Sequence, residues 1–451
     1  MLNRRQFLSS AAGTAALAAA PRRPNILLIL ADDMGSADAG FQGCKDIPTP
    51  HLDSLAAGGV RFTNGYVSHA FCSPTRAGIM TGRYQQRFGH ENNPIYNPRD
   101  EIAGLPTDEV TLAQVLAQVG YATGLVGKWH LGAASSLHPM RRGFGEMYGF
   151  LGGGHDYFKT ELEGEAREYL IPIQRDGRPE PLTDYLTDAL SREAVAFIRR
   201  HRADPFFLYL AYNAPHTPQQ VTDRYLSRFA GIQDERRRRY AAMLSALDDG
   251  VGQVLETLRE LKLESDTLIF FLSDNGGPIA VNGSSNAPFH GAKGTPFEGG
   301  FRVPFVVRWP RRLPKGKVLH DPVISLDIFP TAVAAAGAEF VAARRLDGVN
   351  LLPLASGKTA ALPHPRLFWR QGGGAAFAIR EGRYKLVKPA DGEVQVYDLE
   401  TDVGETKDLA ATRPELRERL LRAWQEWDRE LIPPRFESPR PASKAQPKKR
   451  A

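Results

Sequence analysis

The sequence predicts an α/β protein: a mainly parallel sheet sandwiched by helices, then a smaller C-terminal antiparallel sheet with a helix. Three observations predict it. Short, continuously apolar runs recur at residues 24–31, 205–211 and 267–272, separated by stretches with helical spacing. Each run ends in polar residues: Asp32-Asp33, Asn213-Ala214-Pro215-His216 and Ser273-Asp274-Asn275. Beyond Asp347 the texture changes to short alternating segments divided by Gly-containing turns.

The chain has 451 residues, 42% apolar and 24% charged, enough to bury a large core and a smaller one. The formal net charge of +6 favours an anionic ligand mildly, since part of the excess lies in Lys444, Lys448, Lys449 and Arg450 near the C-terminus. No nucleic-acid partner is expected. Asn3-Arg4-Arg5-Gln6-Phe7-Leu8, an Ala/Leu stretch and Ala18-Ala19-Ala20 read as a twin-arginine signal peptide over 1–20, with the twin-arginine translocase as partner and a periplasmic or secreted address. That apolar run is too short to span a bilayer, and no later segment looks transmembrane. Residues 24–345 read as the principal domain, 346–432 as a C-terminal subdomain and 433–451 as a disordered basic tail. Cys44 and Cys72 are the two cysteines, too few for a disulfide framework; Cys44 reads as a small packed residue.

Taken in order, residues 24–31 are apolar on both faces and read as a central parallel strand. A short helix follows Thr49-Pro50-His51-Leu52-Asp53, and a second opens at Cys72. Leu112, Val115, Leu116 and Val119 give a helix stopped at Gly120. Residues 121–126 form a strand that delivers Gly127-Lys128-Trp129-His130-Leu131-Gly132; on extended backbone Lys128 and His130 face the same way. A helix over 184–200, the strand 205–211, a long helix over 234–263 and the strand 267–272 follow. Arg236 to Arg239 read as an exposed basic face, with attraction of polyanions as a second reading. A strand at 305–309 and a helix from Ser325 complete the domain. The subdomain has segments at 377–380, 384–387 and 394–399, then a helix over 414–431.

Asp32, Asp33, Asp274 and Asn275 are oxygen donors at the carboxyl ends of strands, where open α/β sheets bind ligands. Adjacent buried carboxylates need a cation, and an all-oxygen set suits Ca²⁺ or Mg²⁺ rather than zinc. Arg76, Lys128, His130, His216 and Lys293 add the cationic and imidazole groups of an anion pocket. Cys72 in His69-Ala70-Phe71-Cys72-Ser73-Pro74-Thr75-Arg76 has two readings: a thiolate activated by a helix N-terminus and Arg76, or a buried structural thiol.

Cys72-Ser73-Pro74-Thr75-Arg76, continuing to Gly82-Arg83-Tyr84, resembles the signature of the type I sulfatases. Gly127-Lys128-Trp129-His130-Leu131-Gly132, Gly291-Ala292-Lys293-Gly294-Thr295 and Glu298-Gly299-Gly300-Phe301-Arg302-Val303-Pro304 resemble that family's later motifs, in order. The resemblance implies an alkaline-phosphatase-like fold and a sulfatase catalytic domain over 24–345. It implies that a maturation enzyme oxidises Cys72 to formylglycine (3-oxoalanine), whose hydrate attacks sulfur. It implies a metal held by Asp32, Asp33, Cys72, Asp274 and Asn275. Arg76 would steady the hydrate, Lys128 and Lys293 the sulfate. His216 would protonate the leaving alcohol, and His130 would assist loss of the covalent sulfate.

Gln86 to Pro94 resembles bacterial carbohydrate sulfatases, which implies a sulfated polysaccharide or oligosaccharide as substrate. His90, Glu91, Asn92 and His290 are candidate substrate contacts, with Arg370 and His155 weaker ones. Family members often carry Arg where this chain has His290. Two alternatives stand beside this reading: a phosphonate monoester or phosphodiester hydrolase of the same fold, and a non-catalytic glycan-binding protein.

Overall fold

The structure, a computed structural model, describes residues 23–161, 169–340 and 344–437. The expected signal peptide and residues 438–451 of the expected tail lie outside it.

Asn25–Ala31 is buried along its whole length and pairs in parallel with Phe206–Ala211 on one side and Thr267–Ser273 on the other. These apolar runs cannot be exposed on either face, so they take the centre of a ten-stranded sheet. Outward on one side lie Ala122–Lys128 and Glu146–Phe150, both parallel, then the antiparallel hairpin Ile173–Arg175 and Arg178–Glu180. On the other side Phe305–Arg308 runs antiparallel to Thr267–Ser273, followed by Val60–Phe62 and Lys317–Leu319. The sheet is thus mainly parallel, as expected, with antiparallel pairing toward its edges.

Successive side chains of the central strand enter opposite cores. Leu27, Ile29 and Ala31 join the core covered by the helices Leu186–Arg200 and Glu235–Glu260. Ile26, Leu28 and Leu30 join the core covered by Leu112–Gln118 and Ile328–Ala336. This is the period of a pleated strand buried on both faces.

The subdomain is a four-stranded antiparallel sheet, Arg366–Gln371, Ala376–Glu381, Tyr384–Lys388 and Gln395–Asp398, packed by the helix Pro414–Asp428. Its first strand was not read from the sequence: Arg366-Leu367-Phe368-Trp369-Arg370-Gln371 keeps charged residues at both ends of an apolar centre. The subdomain core is continuous with the principal domain, because Trp369, Leu386 and Trp424 share a cluster with Tyr66, Phe301 and Leu326. Residues 433–437 depart from the expected disorder. Arg435 N donates to Gly89 O at 2.9 Å, and the Phe436 ring lies 5.1 Å from that of His90. The apolar Phe436 explains the difference, since it finds a ring to cover.

The basic run at the start of the long helix is only partly the exposed face expected: Arg236 is exposed, whereas two of its neighbours are paired with acids. Arg237 bonds Asp38 and Asp46, and Arg239 bonds Glu235. No helix of the described residues is long and apolar enough to cross a membrane.

Candidate active site

The strand Asn25–Ala31 delivers Asp32 and Asp33, and its neighbour Thr267–Ser273 delivers Asp274 and Asn275 beside them. Asp33 N donates to Asp274 Oδ1 at 3.3 Å, and Asn275 Nδ2 to Asp33 Oδ1 at 2.7 Å. Parallel pairing of Ala31 with Ser273 puts both polar pairs at one edge. Asp33 has a left-handed backbone, φ 67°.

Cys72 is the first residue of the helix Cys72–Thr81, and every residue of that helix is buried. Pro74 sits in the first turn, where its missing N–H breaks no bond. The Cys72 Sγ lies 3.5 Å from Asp32 Oδ1 and 3.2 Å from Lys293 Nζ. One turn on, Arg76 is fully committed. Its Nε and Nη2 reach Asp274 Oδ2 at 3.1 and 2.8 Å, its Nη2 reaches Asp32 Oδ2 at 3.3 Å, and its Nη1 donates to Lys128 O. The Tyr209 hydroxyl, which the sequence reading missed, is also within reach. Arg76 therefore orders the carboxylates. Burial, with Asp274 and Asp32 beside it, pushes the Cys72 thiol well up, against the lowering effect of Lys128 and Lys293, which favours the neutral thiol in the unmodified residue.

Lys128 Nζ bonds Asp32 Oδ2 at 2.5 Å, and Lys293 Nζ bonds Asp33 Oδ1 at 2.6 Å. Burial pushes Asp32 and Asp33 up. The facing cations outweigh it, Lys128, His216 and Arg76 for Asp32 and Lys293 and His216 for Asp33, so both carboxyls lie below their usual range. The Lys293 ammonium is correspondingly held charged. His216 Nδ1 lies 2.6 Å from the Thr217 carbonyl, so that nitrogen carries the fixed proton and Nε2 points to Asp33 Oδ2, 3.6 Å away. Burial lowers the His216 pKa, while Asp32 and Asp33 favour its charged form. The extended backbone ends at Lys128: His130 has φ 57°, so the two do not face alike through simple alternation. The burial of His130 amid Lys128 and Arg76 keeps its ring neutral.

Asp32, Asp33, Cys72 and His216 bring ligand atoms within 4.8 Å of one another. Asn275 Oδ1 beside them is buried and has no hydrogen-bond donor. A buried acceptor without a donor, next to two carboxylates, fits a hard divalent cation. Asp32, Asp33 and Asp274 balance Arg76, Lys128 and Lys293, so a bound dication would leave the pocket positive and selective for anions.

The family profile described as "Sulfatase" matches residues 24–338, and that described as "N-sulphoglucosamine sulphohydrolase, C-terminal" matches 292–426. The chain belongs to the sulfatase family. It is 37% identical to N-acetylgalactosamine-6-sulfatase of Homo sapiens, covering 81% of this chain and 72% of that one. It is 34% identical to arylsulfatase A of Bos taurus, covering 96% and 91%. A solved structure, "Crystal structure of Ps i-CgsB in complex with k-i-k-neocarrahexaose", is 40% identical with a TM-score of 0.86, covering 92% of this chain and 94% of that one. The sulfatase is thus a sulfuric ester hydrolase with an alkaline-phosphatase-like fold. A phosphonate monoester hydrolase of Agrobacterium radiobacter, 22% identical with a TM-score of 0.66, shares the fold alone.

The substrate candidates of this sulfatase divide. Glu91 and Arg370 are buried and paired with each other, and Arg370 also holds Asp428 at 2.9 Å. His90 is buried, its Nε2 2.6 Å from Ser73 Oγ. Asn92 Nδ2 donates to Phe436 O. His90, Glu91 and Arg370 face inward, and Asn92 is half-buried. Both His155 ring nitrogens face carbonyl oxygens. His290 remains exposed on the lysine loop, its ring tilted against that of Phe297 at 4.1 Å. Both cysteines are free. Sequence reading missed Ser73, whose hydroxyl also reaches His130 O, and Asn282, whose Nδ2 reaches Asp33 O. Neither carries a sequence signal, because each acts on backbone far away in the chain.

Proposed function

We propose that this sulfatase removes sulfate from a sulfated carbohydrate, using Cys72 after its conversion to formylglycine and a bound Ca²⁺ or Mg²⁺. The observation that carries the proposal is the meeting of Cys72, Lys293, Asp32 and Asp33 at one buried point. Relatives support the substrate class: one is named for N-acetylgalactosamine 6-sulfate chemistry, and a 40% identical structure holds a neocarrahexaose.

Asp32, Asp33, Asp274 and Asn275 would hold the cation, which supplies Lewis acidity toward a sulfate oxygen. Formylglycine at position 72 would supply a hydrated aldehyde, with one hydroxyl as the nucleophile toward sulfur and a second from which sulfate could be expelled. The chain's own residues do the rest. Lys128 and Lys293 hold the sulfuryl oxygens and stabilise charge developing on them. Arg76 fixes Asp32 and Asp274. His216, anchored through Nδ1 and carrying a second proton on Nε2 when Asp32 and Asp33 hold it charged, gives that Nε2 proton to the leaving alcohol oxygen as the S–O bond breaks. His130, neutral, takes a proton as the aldehyde returns. One water is consumed, and alcohol and sulfate are released. The reading includes a periplasmic or secreted enzyme exported by the twin-arginine route and matured by a formylglycine-generating enzyme.

The test is turnover by natively matured protein on defined sulfated oligosaccharides, an aryl sulfate and an aryl phosphate. Mass spectrometry of the Cys72 peptide accompanies it. Expected are sulfate release, an aldehyde at position 72, and activity lost with a chelator and restored by Ca²⁺. Preference for the phosphate, or glycan binding without sulfate release, would overturn the proposal.

A further inference from the structure

We infer that Glu405 and Lys385 of the C-terminal subdomain are positioning residues for sulfuryl transfer, acting on Lys293 and Asn275 through Glu298. The inference rests on the reading of Lys293 as a sulfate-holding group.

Glu298, Lys385 and Glu405 are all buried in the seam between the two units. Lys385 Nζ lies 2.9 Å from Glu298 Oε1 and 3.0 Å from Glu405 Oε1. Glu405 Oε2 accepts from the Glu298 backbone N–H at 2.7 Å. The subdomain thus grips this residue by both its side chain and its main chain. Glu405 does so from a left-handed backbone, φ 51°, that a non-glycine residue adopts only where its surroundings impose it.

Glu298 opens the short turn Glu298–Phe301, and that turn touches both catalytic segments through backbone bonds. Gly299 N donates to His290 O at 2.7 Å, closing the loop that carries Lys293. Gly276 N donates to Gly300 O at 3.1 Å, fixing the segment that carries Asn275. There is no slack: a Cβ at Gly276 would stand 1.7 Å from Gly299 O. Lys293 itself reaches Cys72 and Asp33. A shift of Glu298 therefore moves the Lys293 ammonium and the Asn275 amide together. Burying an ion-paired cluster of this kind adds little to stability by itself, which accords with a positioning role.

The experiment uses matured full-length protein with Glu405→Ala, Glu405→Asp and Glu405→Gln. Leu420→Ala, in the subdomain core, serves as a destabilised control. Lys293→Ala tests the pocket. Readouts are kcat and KM on an aryl sulfate, calorimetric affinity for inorganic sulfate, and Tm. Glu405→Ala is expected to lose about tenfold or more in kcat/KM, with sulfate affinity falling alongside, at temperatures where it is folded. Glu405→Asp, too short to reach the Glu298 N–H, should fall too and replaces Glu405→Ala if that variant does not fold. Glu405→Gln keeps the acceptor and should stay within about threefold. Leu420→Ala should lose Tm yet stay within about twofold in kcat/KM. Unchanged kcat/KM in Glu405→Ala and Glu405→Asp, or an equal fall in Leu420→Ala, would overturn the inference. Lys293→Ala with undiminished sulfate affinity would instead overturn the reading of the pocket.

Discussion

Lys293 Nζ lies 3.2 Å from Cys72 Sγ, across 221 residues of chain, and 2.6 Å from Asp33 Oδ1. An ammonium placed there neutralises Asp33 and, in the proposed reaction, meets the incoming anion. Lys293→Ala should lower kcat/KM on an aryl sulfate by about 100-fold, as loss of one oxyanion donor does elsewhere. Steady-state kinetics decide it, and a loss under about threefold would remove Lys293 from the transition state.

Gly127 precedes Lys128 with φ 113°, and a Cβ there would stand 1.8 Å from Ala211 O on the adjacent strand. Neither the backbone nor the neighbour can give way. Gly127→Ala should cost roughly 3 kcal/mol and displace Lys128 from Asp32. Denaturant unfolding with activity on the same samples measures both. A variant as stable and active as wild type would contradict this geometry.

Arg370 and Glu91 were candidates for substrate contact, and their burial recasts them as a strut. Removing the arginine strands a buried carboxylate that burial already pushes upward. Arg370→Met should destabilise by about 3–5 kcal/mol while folded protein keeps its kcat/KM within a few-fold. The reverse pattern, normal stability and lost turnover, would return Arg370 to the substrate.

His364 Nε2 lies 2.7 Å from buried Asp327 Oδ1. Burial pushes its pKa down, but Asp327 overcomes this and holds it above the usual value. A raised folded pKa means the contribution is full below about pH 6.5 and fades as pH rises through the folded value. His364→Asn should therefore lose more stability at about pH 6 than at about pH 9, by denaturant melts. An equal loss at both would show that the ion pair adds nothing.

The central strands were legible because a run such as Asn25–Ala31 is apolar at every position and so must be buried on both faces. The amphipathic helices were legible for the same reason at a different period. The groups proposed to hold a metal and an anion were legible as polar residues closing those runs, and as motifs shared with a known family. Arg366–Gln371 was not legible, since its ends are charged and its partners lie elsewhere. The left-handed turn at His130 was not legible, because such a backbone has no signature in a non-glycine residue. His90, Glu91 and Arg370 looked like a polar loop, and only packing showed that they turn inward.

By itself, the sequence determined the alternation of strand and helix, the order of the strand-end donors and the chemistry they offer: hard oxygen ligands, three cations and one thiol. Those are local properties, set by residue type and spacing. The tertiary structure decided which donors meet, that Arg76 spends its charge on Asp274 and Asp32, and that the subdomain grips Glu298 behind Lys293. These depend on strand order and on contacts between segments hundreds of residues apart, and no local pattern along the chain encodes a distance across the fold.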